Sequence, residues 1–243
     1  SGQNDSAGRS VANAGDVNGD GLDDIIIGAP YADYNDIVDC GIAYVVFGRT
    51  TRQYGDKDLI EIESEGSGLG FMVYGVAASA RVGWSVSGAG DINGDGYDEV
   101  IVGSYTINGG AGVARARVVF GHSALLAFPN QALSLVDYSL GYRINGPAAN
   151  NWLGYAVSGI GDFNRDGYDD FVVGSPYFDY AGRVDCGQSY VLFGHSNKTI
   201  FLSVGMAAWV TSNSTGFKIA GAAANDRSGT VLSGAGDVNS DGY

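Results

Sequence analysis

Basic residues are scarce in this chain. Thirteen Lys and Arg face 27 Asp and Glu among 243 residues, giving a net charge of −14. No basic stripe exists to neutralise phosphates, so nucleic acid is excluded as a partner. No window approaches the roughly 18 consecutive apolar residues of a membrane span, so no membrane insertion is expected within this segment. The signatures of common active sites are also missing: there is no Gly-x-Ser-x-Gly elbow, no P-loop and no His-Glu-x-x-His. The two histidines, His122 and His195, stand at equivalent Phe-Gly-His-Ser positions, where a turn role fits better than catalysis. No catalytic residue is expected. Prolines number only 4, and 45% of residues are hydrophobic, which speaks against disorder and for a sizeable core.

Glycine, by contrast, is abundant at 40 residues, as tight turns between short strands require. Within that background the phrase Asp-x-Asn-x-Asp-Gly recurs at Asp16–Gly21, Asp91–Gly96, Asp162–Gly167 and Asp237–Gly242, at intervals of 75, 71 and 75. Alternating side-chain oxygens suit a tight loop folded around a hard cation, with Gly at the sharp turn. The predicted ligands of loop one are Asp16, Asn18, Asp20, the Leu22 carbonyl and Asp24. Loop two offers Asp91, Asn93, Asp95, the Tyr97 carbonyl and Glu99. Loop three offers Asp162, Asn164, Asp166, the Tyr168 carbonyl and Asp170. Loop four shows Asp237, Asn239, Asp241 and Tyr243 at the carbonyl position. Ca²⁺ is expected at one ion per complete loop, three in all, with a fourth if the last loop is completed. Fourteen of the 27 acids lie in these loops, so the acidity is largely a metal-site signature. An EF-hand is excluded: its twelfth position would be Ile27, Val102 or Val173, inside apolar β-type runs with no exiting helix.

Aligned on the Asp motif, each repeat shows four short runs rich in Val, Ile, Tyr and Phe. The first, entering the loop, covers 10–14, 84–89, 155–160 and 230–235; the second covers 24–28, 99–103 and 170–174. A third run ends in Phe-Gly at 43–48, 117–121 and 189–194, and a fourth covers 70–75, 141–146 and 216–221. Four antiparallel strands per repeat predict an all-β fold of β-propeller blades. The repeats run over 8–75, 82–146 and 153–221, with a partial one over 228–243. With three full repeats and the start of a fourth, ending at Tyr243 inside a metal loop, the sequence reads as an incomplete or open ring. Repeats one and three share Tyr-x-Asp-Tyr and Val-Asp-Cys-Gly, so a two-repeat unit of 146 residues separates Cys40 from Cys186. Both cysteines are disulfide candidates; an internal bridge between non-neighbouring blades is disfavoured, which leaves pairing with another chain or reduced core thiols. Asn4, Asn197 and Asn213 head sequons and are glycosylation candidates.

These loops, the following Gly28-Ala29-Pro30 and Gly174-Ser175-Pro176, and the looser Val82-Gly83-Trp84 and Leu153-Gly154-Tyr155 resemble the FG-GAP repeat family, known from the N-terminal β-propeller of integrin α subunits. Repeat two departs, with Gly103-Ser104-Tyr105. The resemblance implies calcium in loops on the lower face of a ring, seven-bladed in integrins, and ligand binding on the opposite face. The function expected is a non-enzymatic, calcium-binding extracellular propeller for adhesion or structural assembly, with protein partners or copies of itself in a filament or multimer. The alternatives are a carbohydrate-binding propeller, with Trp and Tyr as platforms for glycans, and an accessory domain of a larger secreted enzyme.

Overall fold

A computed structural model describes residues 5–50, 58–63, 67–104, 115–123, 128–132, 139–196 and 214–239. The described residues are almost entirely β. Blade one comprises β1 (Ser10–Gly15), β2 (Asp24–Ala29), β3 (Ile42–Val46) and β4 (Gly70–Tyr74). Blade two comprises β5 (Ser85–Gly90), β6 (Glu99–Ser104), β7 (Arg115–Val119) and β9 (Gly141–Asn145). Blade three comprises β10 (Val157–Gly161), β11 (Asp170–Ser175), β12 (Gln188–Leu192) and β13 (Gly216–Ala220). Each is an antiparallel meander in sequence order. A short strand the sequence did not announce, β8 (Gln131–Ala132), crosses from blade two to pair parallel with β4.

One irregularity is repeated in register and aims the chain into its loop. The ladder slips between Asn13 and Gly15, between Gly88 and Gly90, and between Gly159 and Gly161. The glycine after each slip is left-handed, at φ 73°, 72° and 72°. A bulge with Gly in this conformation bends the strand and raises its twist.

Apolar alternation along the strands places a core between successive blades rather than within one sheet. Ala14, Ile26, Val45, Phe71 and Val73 of blade one pack with Val86, Val100, Val102 and Val119 of blade two. Ile101, Val118, Tyr142 and Ile144 of blade two pack with Val157, Phe171, Val173 and Leu192 of blade three. Where one blade meets the next, the backbone approaches so closely that only glycine fits. A Cβ on Gly28 would stand 2.0 Å from the Gly83 carbonyl oxygen, and one on Gly103 would stand 2.1 Å from that of Gly154.

One expectation is corrected. Residues 230–235 do not form the predicted strand of a fourth blade; Gly234 reaches Ser158 of β10 through a side-chain hydrogen bond, but no described strand pairs with them in a ladder, and a lone strand leaves its amides unpaired. Cys40 and Cys186 are both buried, with free thiols. Each belongs to a hairpin shared by repeats one and three. Asp33 accepts from the Asp39 N–H at 2.8 Å, as Asp179 does from Asp185. The thiols point back at the carbonyls of Ala32 and Phe178, both at 3.5 Å. Asn4, Asn197 and Asn213 lie outside the described residues, as do Asp241 and Tyr243.

Candidate metal centre

The Asp-motif loops connect the first and second strands of each blade. In loop one, Asp16 accepts from the N–H groups of Asp20 at 3.0 Å and Gly21 at 2.8 Å, one on each oxygen. Asn18 Oδ1 accepts from Asp20 at 2.9 Å, and Asp20 Oδ1 accepts from Leu22 at 3.0 Å. Asp24 closes the loop from the buried start of β2, accepting from Val17 at 3.0 Å and Gly48 at 2.8 Å. Loop three repeats the arrangement: Asp162 takes Asp166 and Gly167, Asn164 takes Asp166, Asp166 takes Tyr168, and Asp170 takes Phe163 and Gly194. Backbone donors thus fold the side-chain oxygens toward the loop. A carboxylate has about four acceptor sites, so one N–H on each oxygen leaves room for a cation.

Loop two differs where its sequence differs. Asp91 takes Gly94, Asp95 and Gly96, and Asp95 takes Tyr97. Glu99 Oε2 accepts from Ile92 at 2.9 Å, in the manner of Asp24 and Asp170. Its longer side chain carries Oε1 to the Asn93 side-chain amide at 2.7 Å. Asn93 is 5% exposed, and its Oδ1 has no hydrogen-bond partner. A buried amide oxygen without a donor is costly.

Burial and crowded acids strain the charged state of these loops. Burial pushes the Asp24 carboxyl up to about 6, with Asp20 and Asp16 adding to the rise. Burial pushes Asp170 up to about 7, with Asp166 and Asp162 adding. A bound cation would remove both penalties. Among the described residues no three His, Cys, Asp or Glu side chains form a metal cluster by themselves. The donor set predicted for each loop instead mixes carboxylates with an amide and a backbone carbonyl. Such an all-oxygen set fits a hard cation such as calcium and not zinc. Asp237 and Asn239 of the fourth motif are exposed.

Asp98 and Asp169 are, by position, acids of their own motif loops. The geometry places Asp98 and Asp169 elsewhere, each against the loop of the preceding blade. Asp98 Oδ2 accepts from the Asp16 N–H at 2.7 Å, and Asp169 Oδ2 accepts from the Asp91 N–H at 2.9 Å. Side chains alternate across a strand, so of two adjacent acids at a strand start only one can face its own loop. That alternation was the overlooked signal. His122 stacks on Phe128 at 3.7 Å and His195 on Tyr168 at 6.3 Å. Their backbone N–H groups donate to Val17 and Ile92 of the preceding blade.

A groove of about 400 Å³ also runs between the blades, lined by Arg9, Trp84, Tyr155 and Thr230 among others. The Arg9 guanidinium lies 3.7 Å from the Trp84 ring centroid, and Trp84 lies 5.6 Å from Tyr155. Among the described residues no helix is long and apolar enough to cross a membrane.

The FG-GAP repeat pattern matches residues 7–46, 82–114 and 153–192. Integrin alpha-PS5 of Drosophila melanogaster is 30% identical over 170 residues, which is 70% of this chain and 15% of that protein. Integrin alpha pat-2 of Caenorhabditis elegans is 31% identical over 203 residues, 78% of this chain and 14% of that protein. A phosphatidylinositol-glycan-specific phospholipase D of Bos taurus is 34% identical over 59 residues, 22% of this chain and 7% of that protein. The chain therefore spans about a seventh of the integrin relatives it matches.

Proposed function

Three segments of this chain are FG-GAP repeats, and from that premise we propose that it works as a calcium-stabilised, extracellular propeller segment for adhesion or assembly. The observation that carries the metal half is Asn93 Oδ1, a buried oxygen without a partner, at the third position of a loop otherwise rich in inward-drawn carboxylates. A cation bound there would supply the missing partner and neutralise the neighbouring acids. The residues to hold it are Asp91, Asn93, Asp95, the Tyr97 carbonyl and Glu99, with the corresponding sets in loops one and three. Calcium's contribution is structural: it fixes a Gly-rich loop whose ordering is otherwise entropically costly.

The binding half rests on similarity to integrin alpha subunits and on one flank of blade one. Val11 and Ile25 are 59% and 45% exposed, whereas their counterparts Val86 and Val100 in blade two are buried against blade one. The chemistry of that flank suits one more FG-GAP blade, so the partner we assign to it is another blade of this kind. The role is binding rather than catalysis, because the converging carboxylates are already committed to backbone hydrogen bonds and to a cation. Extracellular placement follows from the calcium concentration such loops need when their affinity is modest.

Calorimetric titration with calcium tests the metal half. Three ions per chain and a clear rise in melting temperature over chelator are expected; no heat and no shift overturn it. Sedimentation tests the assembly half. Concentration-dependent association abolished by Ile25→Asp supports it, and a monomer at every concentration counts against self-assembly.

A further inference from the structure

Loops one and two are each built partly by the blade that follows. The Asp98 carboxylate, eighth in loop two, accepts from the N–H of Asp16, first in loop one, at 2.7 Å. The Asp98 N–H returns a bond to the Asp16 carbonyl at 3.2 Å. One step along, Asp169 and Asp91 form the same reciprocal pair, at 2.9 and 3.2 Å. The approach is tight enough to require glycine opposite it. A Cβ on Gly15 would stand 2.1 Å from Asp98 Oδ2, and one on Gly90 would stand 2.0 Å from Asp169 Oδ2.

Beside each carboxylate is the residue whose carbonyl is the expected ligand of its own loop. The Tyr97 ring covers Gly19 of loop one, where a Cβ would meet Tyr97 Cε1 at 2.3 Å. The Tyr168 ring covers Gly94 of loop two in the same way, at 2.6 Å. Tyr97 and Asp98 therefore belong to loop two by backbone and to loop one by side chain. Whatever orders their backbone orders a wall of the neighbouring loop.

We infer that Asp98 and Asp169 are positioning residues that couple the cation loops of successive blades, so that filling one loop tightens cation binding in the loop before it. The inference rests on the calcium reading above. Coupling of this kind is reciprocal, so loop one, when filled, tightens loop two by the same factor. It also differs from a purely structural role, in which loss of Asp98 would loosen blade packing without making loop one sensitive to the state of loop two.

The test reads each loop separately in the whole chain, by hydrogen exchange of the peptide carrying residues 16–24 during a calcium titration. Asp95→Ala disables loop two; Asp98→Ala removes the clasp; Asp98→Asn keeps one acceptor oxygen in place. The calcium concentration that half-protects loop one is expected to rise by about fivefold or more in Asp95→Ala, as in Asp98→Ala. The double variant should rise no further than Asp98→Ala alone, because both changes cut one connection. Asp98→Asn should stay within about twofold of the parent, which separates loss of the acceptor from misfolding. A loop-one midpoint unmoved by Asp95→Ala, or two shifts that multiply independently, overturns the coupling while calcium binding stands. Absence of calcium-dependent protection in the parent chain overturns both readings together.

Discussion

Asn93 donates its side-chain amide to Glu99 at 2.7 Å and thereby leaves Oδ1 buried without a protein donor. In loops one and three the corresponding oxygens of Asn18 and Asn164 accept from the backbone two residues on. Loop two has thus exchanged an internal hydrogen bond for an oxygen held available. Asn93→Ala should weaken calcium binding at loop two by roughly ten- to a hundredfold, the 1.5–3 kcal/mol typical of a contact with a charged group. In chelator the same change should cost about 1–3 kcal/mol, since it leaves the buried Glu99 carboxylate without its Asn93 donor. Calorimetry of the variant in calcium, and its melt in chelator, give the two numbers.

The pH dependence of the cation-free protein has a definite sign. The Asp24 carboxyl rises to about 6 in the folded chain and that of Asp170 to about 7, both mainly through burial. A folded value above the unfolded one, near 4, means that folding favours the protonated form. Their contribution is fully present below about pH 4 and is lost as pH rises through 6 and 7. In chelator, the stability difference between the parent and Asp24→Asn should therefore shift against the parent between about pH 4 and pH 7. In saturating calcium the trend should reverse, because the ion prefers the carboxylate. Thermal melts at several pH values in both media decide it.

The repeat and the blade were legible because spacing carries them. Period 2 along each strand and the interval between Asp motifs do not depend on what lies nearby in space. The fourth strand over 230–235 was misjudged for the opposite reason: its local pattern matches Ser85–Gly90, yet a strand exists only where a neighbour accepts its ladder. The destination of Asp98 lay between these cases. Alternation announces that Asp98 and Glu99 face opposite ways, but only the packing of one blade on the next shows that one of those directions is loop one. Likewise β8 could not be foreseen, since a two-residue strand has no period, and its pairing with β4 is a contact of high sequence separation.

The cysteines make a prediction against easy pairing. Cys40 and Cys186 are both buried, and burial pushes the Cys40 thiol up, which lowers its thiolate fraction. In native conditions neither should react with a thiol reagent over hours, and both should react promptly in denaturant. Fast native labelling of two thiols per chain would show that the hairpins carrying Asp33 and Asp179 open readily.

Glycine separates two kinds of cost within one repeat. Gly103 has an ordinary φ, but a Cβ there would lie 2.1 Å from the Gly154 carbonyl oxygen and 2.3 Å from Ser85 Oγ. Ser85 can rotate away; the backbone carbonyl cannot, because it belongs to the turn leading into β10 that presses blade three against blade two. Gly167 is the converse, at φ 91° with nothing within 4 Å of its added Cβ, so its substitution meets only left-handed backbone strain. Gly167→Ala should accordingly cost about 1–2 kcal/mol. Gly103→Ala should cost more than about 3 kcal/mol, as overpacking against fixed backbone does, and should loosen blades two and three together. Denaturant unfolding of the two variants orders them. Equal costs would mean that the Gly103–Gly154 approach is soft and that the seam between blades rests on its apolar side chains, Phe171 foremost.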